Sequence, residues 1–399
     1  MNQVVIEKLD HFGRGIAKVN NKIVFVPNTL KGDVVLIEIV KDYTSYSLGK
    51  VIKYIEKVKR YSPCKYSNIC GGCHLIEMNY QDQLKFKVNK IVELFKKNLG
   101  IDIKLDEVIS DRPNNYRNKI NLHVQNGKVG FYTEESHDLV EIDECYITKK
   151  EINDLLPKVK DLAKNNNIDE VMIRYNNGLI LSIKGNVSKD ILLKEFSNCN
   201  LIYLNNKIIK DAVVIENVLN KKFRISPKSF FQVNTLVCSK MFSKVRSYIK
   251  DKNYHKALDL YCGTGVIGII ISDLVDEVVG IEVVSAAIED ANYNKKINEI
   301  NNVSFICDKV ENRIDSFKDI DLVIVDPPRS GLDNKSIENI IRINPYEIIY
   351  VSCDPNTLMR DLKKLNKNYD ITNISIADMF PNTYHVECVS VLHRKSIEK

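Results

Sequence analysis

Long apolar runs are missing from this sequence. The most apolar stretch, "VIGIII", ends at Ser272 and Asp273. That is far short of what a bilayer requires, so no membrane span or membrane partner is expected. The start, "MNQVVIEKLDHFGRG", has no apolar core behind a basic end. No secretory signal is read there, and a cytosolic protein is expected. No segment is of low complexity and none repeats, which argues against fibrous and solenoid architectures. A disulfide framework is not expected either: the ten cysteines are unevenly spaced, and a cytosolic chain keeps its thiols reduced.

What is present is ordinary in bulk and informative in detail. With 399 residues, 44% hydrophobic and 28% charged, the chain reads as a soluble protein of two or three units. Nothing points beyond a monomer. The net charge is +6, and residues 1–60 hold eleven Lys and Arg against six Asp and Glu. A local basic excess fits a polyanion such as nucleic acid; the alternative is a solvated lysine-rich surface.

Residues 1–60 read as short strands ("QVVIEKL", "GIAKV", "KIVFV", "DVVLIEIV", "LGKVIKYIE") separated by turn signals, the pattern of a small β-barrel. A second unit, 61–225, begins with the cysteine-rich "YSPCKYSNICGGC". The helix "NYQDQLKFKVNKIVELFKKNL" follows, with apolar residues at helical spacing and lysines on the other face; it is expected near the catalytic unit. Hairpins are predicted at Asn126-Gly127 and at "NNG" after Tyr175. From 226 to 399 strands and helices alternate: "KALDLY", helix "GVIGIIISDLV", "EVVGIEV", helix "SAAIEDANYNKKIN", "VSFIC", "IDLVIVD", "EIIYVSC" and a terminal "VECVSVLHR". Such alternation predicts a parallel, doubly wound α/β domain of Rossmann-like type.

In "LDLYCGTGVIG", Gly263, Gly265 and Gly268 fall at a strand-to-helix turn, where backbone approaches a ligand closely. Glu282 ends the next strand, where a carboxylate can hold ribose hydroxyls. Both features are shared with dinucleotide folds. "VIVDPPRSGLD" is the discriminator, because it displays Asp326 and rigid backbone at the carboxyl edge of the sheet. The bland reading of "DPP" is a tight loop after a buried strand.

Five motifs then occur in order: "SPKSFFQVN" (226–234), "DLYCGTGVIG" (259–268), "VDPPRSGLD" (325–333), "SCDPNTLMRDL" (352–362) and "HVECVSVL" (385–392). Together they resemble the RNA uracil-5-methyltransferases, and the N-terminal barrel looks like a TRAM domain, an RNA-binding module. The resemblance implies a class I S-adenosylmethionine-dependent methyltransferase domain that makes 5-methyluridine. It implies that Gln232, Tyr261, Glu282 and Asp326 hold S-adenosylmethionine, with Asp308 a further candidate for the adenine. Val266 departs from members that carry a polar residue there, so that contact is not carried over.

Uracil C5 is a poor nucleophile until a thiolate adds to C6, and a base must later remove the C5 proton so that the thiolate can leave. By motif and place Cys353 fits the nucleophile, and by family position Glu387 fits the base. The bland alternatives are a small buried thiol and an ordinary strand carboxylate. Cys388 should point to the opposite face of the strand and is read as structural. His385 is a secondary proton handler or, more simply, a structural or RNA-contact residue. Arg329 is a candidate for pairing with a phosphate or orienting the uracil.

Cys64, Cys70 and Cys73 form a C-x5-C-x2-C pattern, one thiolate short of four. The resemblance supplies Cys145, in "IDECYIT", and favours a 4Fe–4S cluster; four thiolates also suit zinc. The cluster points to 23S ribosomal RNA as the substrate, with a transfer RNA T-loop uridine as the alternative. Cys199, Cys238, Cys262 and Cys307 are read as buried thiols. The target base should be flipped or in a loop. Arg14, Lys18 and Lys22 are expected on the RNA backbone, and Phe230 and Phe231 either stack on bases or pack the pocket. Two readings rank lower: an RNA-binding iron–sulfur protein with a decayed enzyme domain, and a cytosine-5 methyltransferase, whose cysteine motifs differ.

Overall fold

The computed structural model describes residues 1–134, 136–226 and 231–396. The first strands are β1 (Asn2–Val5), β2 (Lys8–Leu9), β3 (Gly15–Val19), β4 (Lys22–Val26), β5 (Val34–Asp42) and β6 (Tyr46–Glu56). β1 and β2 are two arms of one bent strand: β1 pairs with β5 and β2 with β3, so the sheet closes on itself as the punctuation predicted. Alternate residues point inward, and Val4, Ile6, Ala17, Val24, Val26, Val35 and Ile37 fill the barrel.

Helix α1 (Tyr80–Leu99) follows the cysteine-rich segment. Asn79 caps its start by accepting from the Asp82 amide at 3.0 Å, and Gly100, at φ 70°, closes its end in the left-handed conformation. Ile91, Leu94 and Phe95 pack into the core beside the C-terminal sheet, against α9 described below. The lysines depart from expectation. Lys85, Lys96 and Lys97 are solvated, but Lys87 and Lys90 are buried, at 0% and 6% exposure. Each has polar partners that a helical pattern cannot reveal.

β7 (Glu107–Ile109) precedes the central sheet, which is built from β8 (Lys119–Gln125), β9 (Lys128–Tyr132), β10 (Leu139–Glu141), β11 (Asn167–Tyr175), β12 (Leu179–Asn186), β13 (Leu201–Leu204) and β14 (Lys207–Lys210). Both predicted hairpins form, β8 with β9 and β11 with β12. Helices α2 (Lys150–Asn153), α3 (Leu156–Asn165) and α4 (Lys189–Glu195) accompany this sheet. A short hairpin of β15 (Ile215–Val218) and β16 (Lys221–Arg224) then leads to α5 (Thr235–Ile249).

The C-terminal elements are β17 (Tyr254–Leu260), α6 (Val266–Ile271), β18 (Val275–Glu282), α7 (Ser285–Ile297), β19 (Val303–Cys307), β20 (Leu322–Val325), α8 (Asn334–Ile343), β21 (Glu347–Ser352), α9 (Pro355–Leu365), β22 (Tyr369–Ala377) and β23 (Glu387–Arg394). The sheet order is β19-β18-β17-β20-β21-β23-β22-β7. The strands run parallel from β19 to β21, but β23 slots antiparallel between β21 and β22, so the sheet is mixed rather than purely parallel. β7, from far earlier in the chain, adds a parallel edge on β22. α6 is also shorter than predicted: the Ser272 hydroxyl turns back to the Ile269 carbonyl, and Val275 already pairs with Tyr254. Among the described residues, no helix is long and apolar enough to cross a membrane.

Candidate active site

The parallel register aligns three strand ends. Leu260 lies beside Ile281 on one side and Val325 on the other, so Tyr261, Glu282 and Asp326 emerge together at the carboxyl edge. Tyr261 takes φ 62°, and its hydroxyl lies 3.3 Å from Ser336 Oγ. Glu282 accepts the Gly263 amide at 3.2 Å and the Val284 amide at 2.8 Å, which fixes the carboxylate and leaves lone pairs for hydroxyl donors. A side chain on Gly263 would meet nothing within 4 Å, whereas one on Gly265 would strike Phe305 at 2.5 Å. The turn thus faces open space at Gly263 and is pressed onto protein at Gly265.

Asp308 is held by the Lys309 amide and by Arg313 Nε at 2.8 Å. Val266 packs against the apolar core. Gln232 is half-buried, and its backbone carbonyl accepts from Asn118 at 3.1 Å. Phe231 is core, packed 6.2 Å from Phe223; Phe230 lies outside the described residues.

Cys353 follows the last residue of β21. Asp354 caps α9 with its carboxylate on the Asn356 and Thr357 amides, so the cysteine is fixed at a strand-to-helix corner. Antiparallel pairing sets Ser352 opposite Cys388, and one step further places Glu387 beside Cys353. Burial, then the charges of Glu387 and Asp326, push the Cys353 thiol up to about 12, while Arg329 pulls it down. Burial and then Asp326 raise Glu387 to about 8, again against Arg329, and burial raises Asp326 to about 7. Buried together, these acids favour the neutral form of one another. Cys388 is fully buried on the opposite face, as expected. His385 packs 4.4 Å from Tyr384 and 5.8 Å from Phe380; burial, then Arg329, lowers it to about 4. A neutral ring suits a packed or RNA-facing residue better than a proton store.

One residue of the site carried no signal on its own. Asp361, buried in α9, accepts from Tyr350 Oη and the Leu332 amide, both at 2.8 Å, and from Arg360. It ties the "DPPRSGL" loop to the helix behind Cys353. Its place inside "SCDPNTLMRDL" was the only available hint.

The second cysteine group also comes together. Cys64, Cys70, Cys73 and Cys145 line one cavity of about 240 Å3, with Arg117, Ile120 and Phe131 among its other walls. Gly71 is pressed against the chain opposite, where a Cβ would lie 2.7 Å from the Glu134 amide nitrogen. Burial, then neighbouring cysteines, raises Cys73, and burial raises Cys145. Among the described residues, no three or more His, Cys, Asp or Glu side chains are placed to hold a metal ion. Of the remaining thiols, Cys199, Cys238 and Cys262 are buried, but Cys307, at the end of edge strand β19, is exposed and corrects the expectation.

Arg14, Lys18 and Lys22 each have an acidic neighbour. Arg14 binds Asp10 at 2.7 Å and lies over Phe25, Lys22 pairs with Asp42, and exposed Lys18 reaches Glu7 at 4.0 Å.

Residues 186–395 match the family described as tRNA (Uracil-5-)-methyltransferase, and residues 3–52 match the TRAM domain. An uncharacterized RNA methyltransferase of Clostridium acetobutylicum is 34% identical over 98% of this chain and 96% of its own. One from Staphylococcus aureus is 31% identical over 97% and 96%. Among solved structures, the Pyrococcus abyssi tRNA (uracil-54, C5)-methyltransferase in complex with S-adenosyl-L-homocysteine superposes with a TM-score of 0.82 at 26% identity. It covers 98% of this chain and 100% of that one.

Proposed function

This chain belongs to the tRNA (uracil-5-)-methyltransferase family and is an S-adenosylmethionine-dependent RNA methyltransferase; on that premise we propose that it makes 5-methyluridine in 23S ribosomal RNA, with Cys353 as nucleophile and Glu387 as base. The observation that carries the mechanism is the register that sets Glu387 beside Cys353 at the sheet edge that also presents Asp326.

S-adenosylmethionine supplies an electrophilic methyl on a cationic sulfur, and Gln232, Tyr261, Glu282 and Asp326 would hold it. A cation beside Asp326, Glu387 and Cys353 favours the ionised form of each. Cys353 Sγ adds as the thiolate to uracil C6, and the displaced electron pair makes C5 the nucleophile that accepts the methyl, whose bond to the cationic sulfur breaks with its pair left on that sulfur. Glu387 then takes the C5 proton. The electrons of that C–H bond form the C5–C6 double bond, the C6–S bond breaks, and the thiolate leaves with its pair. Glu387→Gln should therefore cut turnover by roughly 10²–10⁴-fold and accumulate a covalent RNA–protein adduct on denaturing gels; a Gln variant that shows no adduct counts against the base assignment.

For Cys64, Cys70, Cys73 and Cys145 we propose a 4Fe–4S cluster. Four cysteines lining one cavity suit such a cluster, whose irons are held by thiolates; a structural zinc site is the alternative that four thiolates also allow. The cluster's role is structural, tying the Cys64–Cys73 loop to the central sheet. Protein prepared anaerobically without iron or brown colour would exclude it.

The second substrate reading is a transfer RNA T-loop uridine, favoured by the likeness to the Pyrococcus enzyme. Mass-spectrometric mapping of 5-methyluridine, with and without this gene, decides between them. Loss at a 23S site supports the first reading, and loss only in the T-loop replaces it.

A further inference from the structure

The base Glu387 stands at the end of a buried loop, 378–386, that connects β22 to β23. Asp378, Met379, Asn382, Thr383 and Val386 are each 3% exposed or less. One face of α1 grips this loop. Gln83 Oε1 accepts the Asn382 amide at 2.8 Å, and Gln83 Nε2 donates to Asn382 Oδ1 at 3.1 Å. Lys87 Nζ donates to Asp378 Oδ1 at 2.5 Å and to the Phe380 carbonyl at 3.0 Å. Lys90 Nζ donates to the Tyr384 carbonyl at 3.1 Å. The spacing 83, 87, 90 puts the three on one helical stripe. They meet the loop at its start, its middle and a point three residues before Glu387.

An apolar stripe would have joined α1 to the sheet more cheaply. A buried ion pair loses most of its attraction to desolvation, and Asp378 Oδ2 is left without a partner. What three polar clamps add is geometry: each fixes a particular backbone or side-chain atom of the loop rather than a surface. The same loop is also tied to residues beside the cysteine cavity, since the Leu75 amide donates to the Asn382 carbonyl at 2.9 Å and Tyr116 Oη to the Pro381 carbonyl at 3.0 Å.

We propose that Gln83, Lys87 and Lys90 are positioning residues that fix Glu387 for removal of the C5 proton. This rests on the catalytic reading above and adds that the final step depends on a helix more than 250 residues earlier in the chain. The clamp acts on proton removal and not on addition of Cys353, which sits on a different element, the β21–α9 corner.

The test separates the two steps. Full-length protein is given in vitro transcripts of 23S ribosomal RNA and of transfer RNA, made with either UTP or 5-fluoro-UTP. A fluorine at C5 cannot be removed as a proton, so adduct with the fluorinated RNA reports Cys353 addition and methyl transfer alone. Gln83→Ala leaves no buried charge, and the double variant Lys87→Met with Asp378→Asn removes the ion pair without orphaning a charge. Both variants should form the fluorinated adduct within twofold of the wild-type rate. Both should lose more than tenfold in turnover on uridine RNA and accumulate covalent adduct there. Equal losses in the two assays for Gln83→Ala, or unchanged turnover, would overturn the positioning role alone. A wild-type lane without fluorinated adduct on either RNA overturns the catalytic reading and this one with it.

Discussion

Cys353 and Cys73, in two separate parts of this protein, carry raised thiols for different reasons. Cys353 is lifted by burial and by two carboxylates, Glu387 and Asp326, with one guanidinium, Arg329, opposing. In the cavity, Cys73 is lifted by burial and by its fellow cysteines, with Arg117 opposing. Each site disfavours thiolate until positive charge arrives. A single thiol stands beside a buried carboxylate at the carboxyl edge of the sheet. Four thiols line one cavity of about 240 Å3, with one another as their charged neighbours. Neighbours, not the residue type, set how strongly each thiol holds its proton.

The sharpest way to break that distinction is to remove one sulfur from each site. Cys353→Ala should abolish methylation while moving the melting temperature by no more than roughly 3 °C, because the residue is half-buried at a corner held by Asp354. Cys145→Ala should do the reverse. It should lower the melting temperature by roughly 10 °C and deplete iron in anaerobic preparations. The folded remainder, assayed cold, should still trap fluorinated RNA through Cys353. A Cys145→Ala protein that is stable but chemically dead would show that the two sites are not separate.

Protons give the next largest effect. Glu387 near 8 and Asp326 and Asp259 near 7 are carboxylic acids whose folded values stand above their unfolded ones. From about pH 4.5 to about 8 these three groups hold more protons in the folded protein than in the unfolded chain, so their contribution to stability falls as pH rises and levels off above about pH 8. Turnover should move oppositely and climb along a limb with its midpoint near pH 8, because the base must be ionised to accept the C5 proton. Thermal melts and turnover on one pH series test both signs. Asp259→Asn, which keeps an oxygen for the Gly268 amide, should flatten the stability slope and leave the turnover limb in place.

Much of this was legible beforehand. The barrel strands, the two hairpins and the strand–turn–helix around "CGTG" follow from local patterning, because turn residues and apolar alternation act over a few positions. The edge composed of Tyr261, Glu282, Asp326 and Cys353 was legible because parallel strands deliver their ends to one side. What was not legible involves partners far apart in sequence. Strand β7 joins a sheet whose other members begin 147 residues beyond it, at Tyr254. Lys87 and Lys90 look like solvent lysines until Asp378 and Tyr384 are brought against them. The antiparallel insertion of β23 is likewise a property of the assembled sheet.

The smallest effect concerns the two opposing arginines. Arg329 lies on the exposed turn after Asp326 and lowers both Cys353 and Glu387; Arg117 lines the cavity and lowers Cys73. Neutralising Arg329 as Arg329→Gln should raise the turnover limb by a fraction of a pH unit and slow the reaction at pH 7 a few-fold, since exposed charges are well screened. Neutralising Arg117 should leave that limb where it is, because its charge serves the other site. If Arg329 also grips an RNA phosphate, KM will rise together with the salt dependence of binding. A shift of the limb at constant KM would instead assign its role to the thiol and the base. A limb that moves equally for both arginines would mean that the two cysteine sites share one electrostatic environment after all.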